Sequence, residues 1–234
     1  MLLHQTPRSI DEFAELIPLL APTARVIAID TPGYGCSDRV AGAPSIADYA
    51  RAVLAVLDRE GVQRAHVFGH HTGGVTAVEL AAAAPERVAS VALSGPIYLD
   101  ESGRAALRPL FKQWHAQADG AHLIDKWQKM SGWTTRDPGF VQRLVLDVFR
   151  AGETSEQGHF AAAAYRMEDR LPLAHCPALL VYGTHDPFAS PANAGTFAAS
   201  FRPCRTVTVE AGIFLPNEAA EALAPELLSL VTTA

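Results

Sequence analysis

The sequence has little cysteine, no cluster of basic residues and no long apolar run. Its three cysteines, Cys36, Cys176 and Cys204, are far apart and form neither a CxxC pair nor a Cys/His metal spacing. This pattern excludes a small disulfide-stabilised fold and favours free thiols in a reducing compartment. The absence of a basic cluster argues against a nucleic-acid surface or a polybasic membrane anchor.

No apolar run approaches the ~18 residues that span a bilayer. The first residues, Met1–Pro7, are too few and too uncharged for a secretion signal. We therefore expect a cytoplasmic protein without nucleic-acid or membrane partners. The 234 residues are 49% hydrophobic and carry a formal net charge of −6, which is enough apolar material for one well-buried core.

Short apolar runs alternate with helical patterns over most of the chain. Ser45 and Asp48, for example, form a capping-box pattern ahead of apolar residues at helical spacing. This alternation is typical of an α/β fold with a doubly wound, mostly parallel sheet. The predicted strands are Met1–His4, Arg25–Asp30, His66–Gly69, Val88–Leu93, Ala178–Tyr182 and Thr206–Val209.

The alternation stops between residues 99 and 171, which are helical in pattern and include all three tryptophans. An insertion between two strands of a parallel sheet lies above their carboxyl ends, where such folds bind ligands. We therefore predict a core formed by residues 1–98 and 172–234, with residues 99–171 as an inserted helical cap. The aromatic residues of the cap either line a pocket or form the cap's own small core.

One strand-to-helix turn, Gly69–Gly73, reads G-H-H-T-G and resembles the nucleophile elbow G-x-S-x-G of the α/β-hydrolase family. The elbow holds its central residue in a strained conformation, and glycines two positions to either side relieve the crowding. Both glycines are present here. His71, however, stands where the family has its serine nucleophile.

Three more segments resemble the same family. Leu2–Pro7 is similar to the oxyanion loop L-L-H-G-x-P, with Gln5 in place of the glycine. Asp30–Asp38 is similar to the turn D-x-P-G-x-G-x-S-D, and Val181–Pro187 to the turn that carries the family's acid, here Asp186. The resemblance covers nearly the whole chain. It implies an α/β-hydrolase fold that lacks the family's first two strands.

The catalytic triad is degenerate. The family's histidine follows the last strand in a G-H-F-x-P-like turn, where this chain has Ile213, so only Asp186 remains of the triad. Loss of both the hydroxyl and its base excludes the usual acyl-serine mechanism. The resemblance also implies an oxyanion hole formed by the backbone N–H groups of Thr6 and Thr72, which do not depend on the lost side chains.

His71 has three interpretations. In the leading one, it acts with Asp186 as a general base, because imidazole is the side chain whose charge changes nearest to neutral pH. In the second, it attacks the substrate directly and carries an acyl group. In the third, it only lines a binding pocket. Adjacent histidines on such a turn diverge, so we expect no metal and no other cofactor.

Further substrate contacts are expected from the oxyanion loop, the elbow, the cap and the final turn. For two of these residues a structural role is the alternative to substrate contact. His70 would then only pack beside the elbow, and His122 would lie on a solvated helix face. The expected substrate-binding residues are His4, Gln5, His70, Tyr98, His122, Trp127 and Ile213.

The leading hypothesis for function is transfer of a bulky acyl group from a thioester-type donor, free or bound to a carrier protein, to a nucleophile. A high alanine content and a lost triad resemble α/β-hydrolase-fold proteins of natural-product pathways, such as the indolyl acyltransferase of nosiheptide assembly. The alternatives are a hydrolase, a lyase or cyclase with His71 as base, and a non-catalytic binding protein. Without the family's first two strands, Arg25–Asp30 becomes an uncovered sheet edge. Either this edge favours a homodimer, or the sequence is a piece of a longer chain that begins upstream.

Overall fold

Parallel strands form the centre of the molecule. In the computed structural model, which describes residues 1–233, the strands are β1 (Leu2–Leu3), β2 (Ala28–Ile29), β3 (Ala65–His70), β4 (Val88–Ser94), β5 (Ala178–Gly183) and β6 (Cys204–Val209). They pair in the order β2-β1-β3-β4-β5-β6, and each pair is parallel. The predicted fold class is thereby confirmed.

Helices cover both faces of this sheet. They are α1 (Ile17–Leu20), α2 (Ile46–Arg59), α3 (Thr72–Ala83), α4 (Glu101–Leu107), α5 (Ala121–Ser131), α6 (Pro138–Ala151), α7 (Gln157–Ala164), α8 (Met167–Arg170), α9 (Ala194–Ser200), α10 (Leu215–Glu218) and α11 (Ala220–Thr233). Within residues 1–233, no helix is both long and apolar enough to cross a membrane.

Adjacent residues of β1 show how the two faces are filled. Leu3 packs into a cluster with Val53 of α2, whereas Leu2 packs on the other side with Leu223 of α11. Successive strand residues point to opposite faces, so a strand covered on both sides is apolar throughout. Each fully buried aliphatic side chain contributes about 1.5–3 kcal/mol to the free energy of unfolding.

The predicted cap is a helical insertion between β4 and β5 that includes α4 to α8. A buried ion pair joins it to the loop after β1, because Arg8 Nε lies 2.8 Å from Asp147 Oδ2 on α6. Ser9 Oγ donates to the other carboxylate oxygen of Asp147 at 2.7 Å. The division into core and cap stays a prediction, and Ala234, the last residue of the predicted core segment 172–234, lies outside the described residues.

The strand β2 lies at one edge of the sheet, as the family resemblance implies. It is shorter than the predicted Arg25–Asp30, because its one neighbour, β1, offers only Leu2 and Leu3 for pairing. Pairing of this edge with a second copy stays a prediction.

Candidate active site

The elbow is built as the sequence predicts. β3 ends at His70, α3 begins at Thr72, and His71 between them has φ 45° and ψ −110°. Among the described residues outside glycine, it alone has a positive φ, which costs about 1–3 kcal/mol. A Cβ atom at Gly69 would overlap the backbone of Gly73. The tight turn therefore requires glycine, and it aims His71 at the carboxyl ends of the strands.

His71 is paired with the acid that follows β5. Its Nε2 lies 2.9 Å from Asp186 Oδ2, and the two side chains are 7% and 1% exposed. Burial acts to raise the pKa of Asp186, but the hydrogen bond and charge of His71 and the N–H of Phe188 outweigh it and hold that pKa below its usual value. Asp186 is therefore ionised. An ionised carboxylate can only accept a hydrogen bond, so Nε2 is the ring nitrogen that donates to Asp186, and Nδ1 is not engaged by it.

Room for this pair depends on Gly95, directly after β4. A Cβ atom there would lie 2.6 Å from His71 Nε2 and 2.9 Å from Asp186 Oδ2, and Gly95 has φ +59°. In the sequence, the one indication that Gly95 belongs to the site is its position, at the end of the strand that lies beside the elbow strand. Its proximity to His71 and Asp186 is a tertiary property.

His70 connects the elbow to the final turn. Burial and the neighbouring charge of His71 lower the pKa of His70 to about 3, so its ring is neutral. Its Nε2 donates to the carbonyl of Ile213 at 2.9 Å, and Nδ1 accepts from Ser94 Oγ at 2.9 Å. Gln5 Nε2 donates to the same carbonyl at 3.2 Å. The turn that carries the family's histidine is thus fixed through its backbone by two side chains.

The predicted oxyanion residues lie together but in an unexpected arrangement. Thr6 N–H donates to Thr72 Oγ1 at 2.7 Å, and the two hydroxyls are 3.1 Å apart. The expected geometry has the Thr6 N–H available to a substrate oxygen. The Thr72 side chain occupies that position because the oxyanion loop passes directly beside the start of α3. The N–H of Thr72 opens the helix, where the first donors have no partner within the helix.

A cavity of about 100 Å³ lies between the core and the insertion. Of the predicted site residues, its lining includes Gln5, Thr6, His71, Thr72 and Ile213. An apolar cavity of ~150 Å³ holds a benzene ring. The cavity therefore accepts a small group in this conformation, and a bulky acyl group requires the insertion to move.

The other predicted substrate-binding residues lie outside this lining. His4 is buried and accepts the N–H of Thr31 at 3.0 Å, which positions the oxyanion loop. Tyr98 contacts Phe197 edge to face. His122 stacks on Trp114 with ring centroids 5.8 Å apart.

Trp127 is 37% exposed, because α5 turns residues 126, 129 and 130 towards the cavity and Trp127 away from it. None of the residues His4, His70, Tyr98, His122 and Trp127 is part of the cavity lining, and their roles in substrate binding stay predictions.

Several residues of the insertion line the cavity without having been predicted, among them Phe111, Lys126, Lys129, Glu156 and His159. His159 Nδ1 lies 2.8 Å from Glu156 Oε2, and its ring stacks on Phe111 with centroids 3.7 Å apart. Lys126 and Lys129 approach from α5. The i, i+3 spacing of both pairs is a helical signal visible in the sequence. That signal does not reveal which face of each helix points inward.

Comparisons with known proteins agree with this geometry. A family model described as alpha/beta hydrolase fold matches residues 1–214. The chain is 31% identical over 226 residues to a dihydrolipoyllysine-residue acetyltransferase component of an acetoin cleaving system from Pseudomonas putida, covering 92% of this chain and 58% of that relative. The chain therefore spans little more than half of that protein's length.

Two further similarities concern hydrolytic enzymes. A 2-hydroxy-6-oxononadienedioate/2-hydroxy-6-oxononatrienedioate hydrolase from Paraburkholderia phymatum is 40% identical over 89 residues, which are 38% of this chain and 29% of that protein. The crystal structure of an enol-lactonase from Burkholderia xenovorans superposes with a TM-score of 0.80 at 25% identity, covering 99% of this chain and 90% of that one.

Proposed function

Because this chain belongs to the alpha/beta hydrolase fold family, we propose that it is an enzyme that transfers acyl groups by general-base catalysis. His71 is the base, and Asp186 orients it. The observation that carries the proposal is the 2.9 Å contact between His71 Nε2 and Asp186 Oδ2 beside an apolar cavity. A positioned base of this kind contributes about 10²–10⁴-fold to a rate.

The proposed reaction uses an activated donor, a thioester that is free or bound to a carrier protein. His71 Nδ1 takes the proton of an acceptor thiol, hydroxyl or water as its heteroatom attacks the thioester carbonyl carbon. The tetrahedral oxyanion then collapses, the C–S bond breaks, and the proton passes from Nδ1 to the departing thiolate. No acyl-serine forms, because the elbow has no hydroxyl at residue 71.

Because the Thr6 N–H is bonded to Thr72 Oγ1, the N–H of Thr72 is the donor that stabilises the oxyanion in this conformation. One such donor is worth ~2.7–4 kcal/mol at a developing oxyanion. The N–H of Thr6 joins it only when the Thr72 hydroxyl rotates away. A thioester suits this incomplete site because it is already reactive, whereas an unactivated ester requires more stabilisation.

The proposal that the substrate is an acyl compound is supported by the names of the relatives, an acetyltransferase component and a hydrolase. A natural-product pathway and a carrier-protein partner remain part of the proposal, and they draw on the lost triad alone. A lyase or cyclase is the second candidate. The Thr6–Thr72 hydrogen bond favours it, because proton abstraction from carbon forms no tetrahedral oxyanion.

The test is a thioester assay that separates transfer from hydrolysis. Acyl-N-acetylcysteamine donors of increasing size are offered with and without an acceptor thiol, to wild type, His71→Ala and Asp186→Asn. His185→Ala is the matched control, because His185 is adjacent to Asp186 but 70% exposed and paired with Glu210.

We expect the first two variants to lose at least 100-fold in rate and the control to stay within twofold of wild type. Undiminished turnover by His71→Ala would refute the base role. Hydrolysis with every acceptor would refute transfer. Ligand binding without turnover of any donor would establish the binding-protein alternative.

A further inference from the structure

Lys126 is a buried cation in the same cavity as His71. The residue is 6% exposed and lines the cavity from α5. Within the described part of the chain it has neither a hydrogen bond nor an ion pair. Its Nζ makes a cation–π contact with Trp114, 5.2 Å from the ring centroid. A buried ammonium group without an acceptor is costly, so its retention points to an anion that completes the site.

The other charges of the cavity do not supply this anion. Glu156 is the one carboxylate of the lining, and it lies within hydrogen-bond distance of His159 Nδ1, at 2.8 Å. Among the described residues, Lys126 and Lys129 have no carboxylate within 4.0 Å, the limit for an ion pair. Arg8, the remaining cation, is 2.8 Å from Asp147 and hydrogen-bonded to Asn217.

Lys129 is exposed to solvent, so Lys126 is the buried lysine of the lining, and Glu156 is not within ion-pair distance of it. Burial acts to raise the pKa of Glu156, but the hydrogen bond from His159 and the charges of Lys129 and Lys126 lower it overall, so Glu156 is ionised. Within the described residues, the buried ammonium of Lys126 is therefore the positive charge of the lining that is left unmatched. Burial, and then repulsion from Lys129, lower the pKa of Lys126, which a bound anion would reverse.

We propose that Lys126, assisted by Lys129, binds a carboxylate group carried by the substrate, so that the acyl compounds taken by this protein are acids as well as acyl donors. A monoanion matches the single unmatched charge. The apolar remainder of the lining, such as Met130 and Val148, suits a short hydrocarbon segment. This inference names the substrate class of the proposed function and rests on it.

The test measures binding without turnover. Calorimetry compares isobutyrate with isobutyramide, which have nearly the same shape but differ in charge, and includes inorganic phosphate as a second anion. We expect wild type to prefer the acid over the amide at least tenfold. Lys126→Met abolishes the preference, and Lys126→Gln does the same if the first variant fails to fold. Lys112→Met keeps the preference, because Lys112 is an exposed lysine of the insertion outside the cavity lining.

His71→Ala separates this inference from the proposed function. We expect it to keep the preference for isobutyrate while losing turnover. A preference for the acid in a protein that transfers no acyl group would leave the anion site standing and refute the function. Equal binding of acid and amide, retention of the preference in Lys126→Met, or tighter binding of phosphate than of isobutyrate would each overturn the carboxylate site.

Discussion

The side chain of Thr72 accepts the backbone N–H of Thr6 at 2.7 Å, so one residue of the expected oxyanion hole occupies the donor of the other. Thr72→Ala frees that donor without altering the backbone at residue 72. If the reaction passes through a tetrahedral oxyanion, we expect kcat with thioesters to rise at least tenfold, because a donor at this position is worth ~2.7–4 kcal/mol.

Thr76→Ala is the control for this change, since Thr76 lies one turn further along α3 and its hydroxyl bonds to the carbonyl of Thr72. An unchanged or lower kcat in Thr72→Ala, with wild-type stability, would show that the Thr6 N–H stabilises no oxyanion in this reaction. Steady-state kinetics with a single donor is sufficient for the comparison.

Gly95→Ala is expected to abolish activity while leaving the protein folded. The new methyl group would lie 2.6 Å from His71 Nε2 and force the ring away from Asp186. We expect a rate loss of at least ~100-fold, the contribution of a positioned base. Gly61→Ala carries the same backbone cost, with φ +66°, but has open space around it. Equal effects of the two substitutions on rate would show that Gly95 acts only through its backbone.

Asp186 links the site to stability in acid. Its native pKa lies below its usual value of 3.8, so its contribution is complete above that pH and is lost as the pH falls through the lower native value. Asp186→Asn removes the contribution. We expect the wild type to lose stability more steeply than the variant below about pH 4. Urea unfolding between pH 2 and pH 6, in steps of about one unit, measures this difference.

Glu12 gives the free energy of unfolding a pH dependence of the opposite sign. Burial raises the pKa of Glu12 to about 8, so the folded protein holds a proton that the unfolded chain releases near pH 4.5. Stability is greatest below the unfolded value and falls as the pH rises towards 8, by at most about 1.4 kcal/mol per pH unit. Glu12→Gln should remove this slope and still accept the N–H of Gln5. A slope that persists in the variant would assign it to another group.

The free edge of β2 is expected to pair with a second copy. Light scattering over a concentration series should show a dimer, because an uncovered strand offers unpaired backbone groups. A strict monomer at the highest concentration would exclude edge pairing. The result is independent of the catalytic predictions.

The sequence predicts those features that are encoded locally. The Gly69–Gly73 turn, the acid Asp186 and the alternation of strands and helices each depend on residues close together in the chain, and the structure places them as expected. The occupation of the Thr6 N–H could not be predicted, since it joins residues 66 positions apart. Which face of the insertion points into the cavity could not be predicted either. Trp127 is exposed and Lys126 is buried, which reverses the usual preferences of these residue types.

The carbonyl of Ile213 accepts hydrogen bonds from both His70 and Gln5. Both hydrogen bonds end on the backbone, so they do not depend on the side chain at residue 213. Replacement of Ile213 by another residue, histidine included, would leave them in place. The position of the final turn is therefore set by Gln5 and His70, while the side chain of residue 213 is free to change the wall of the cavity.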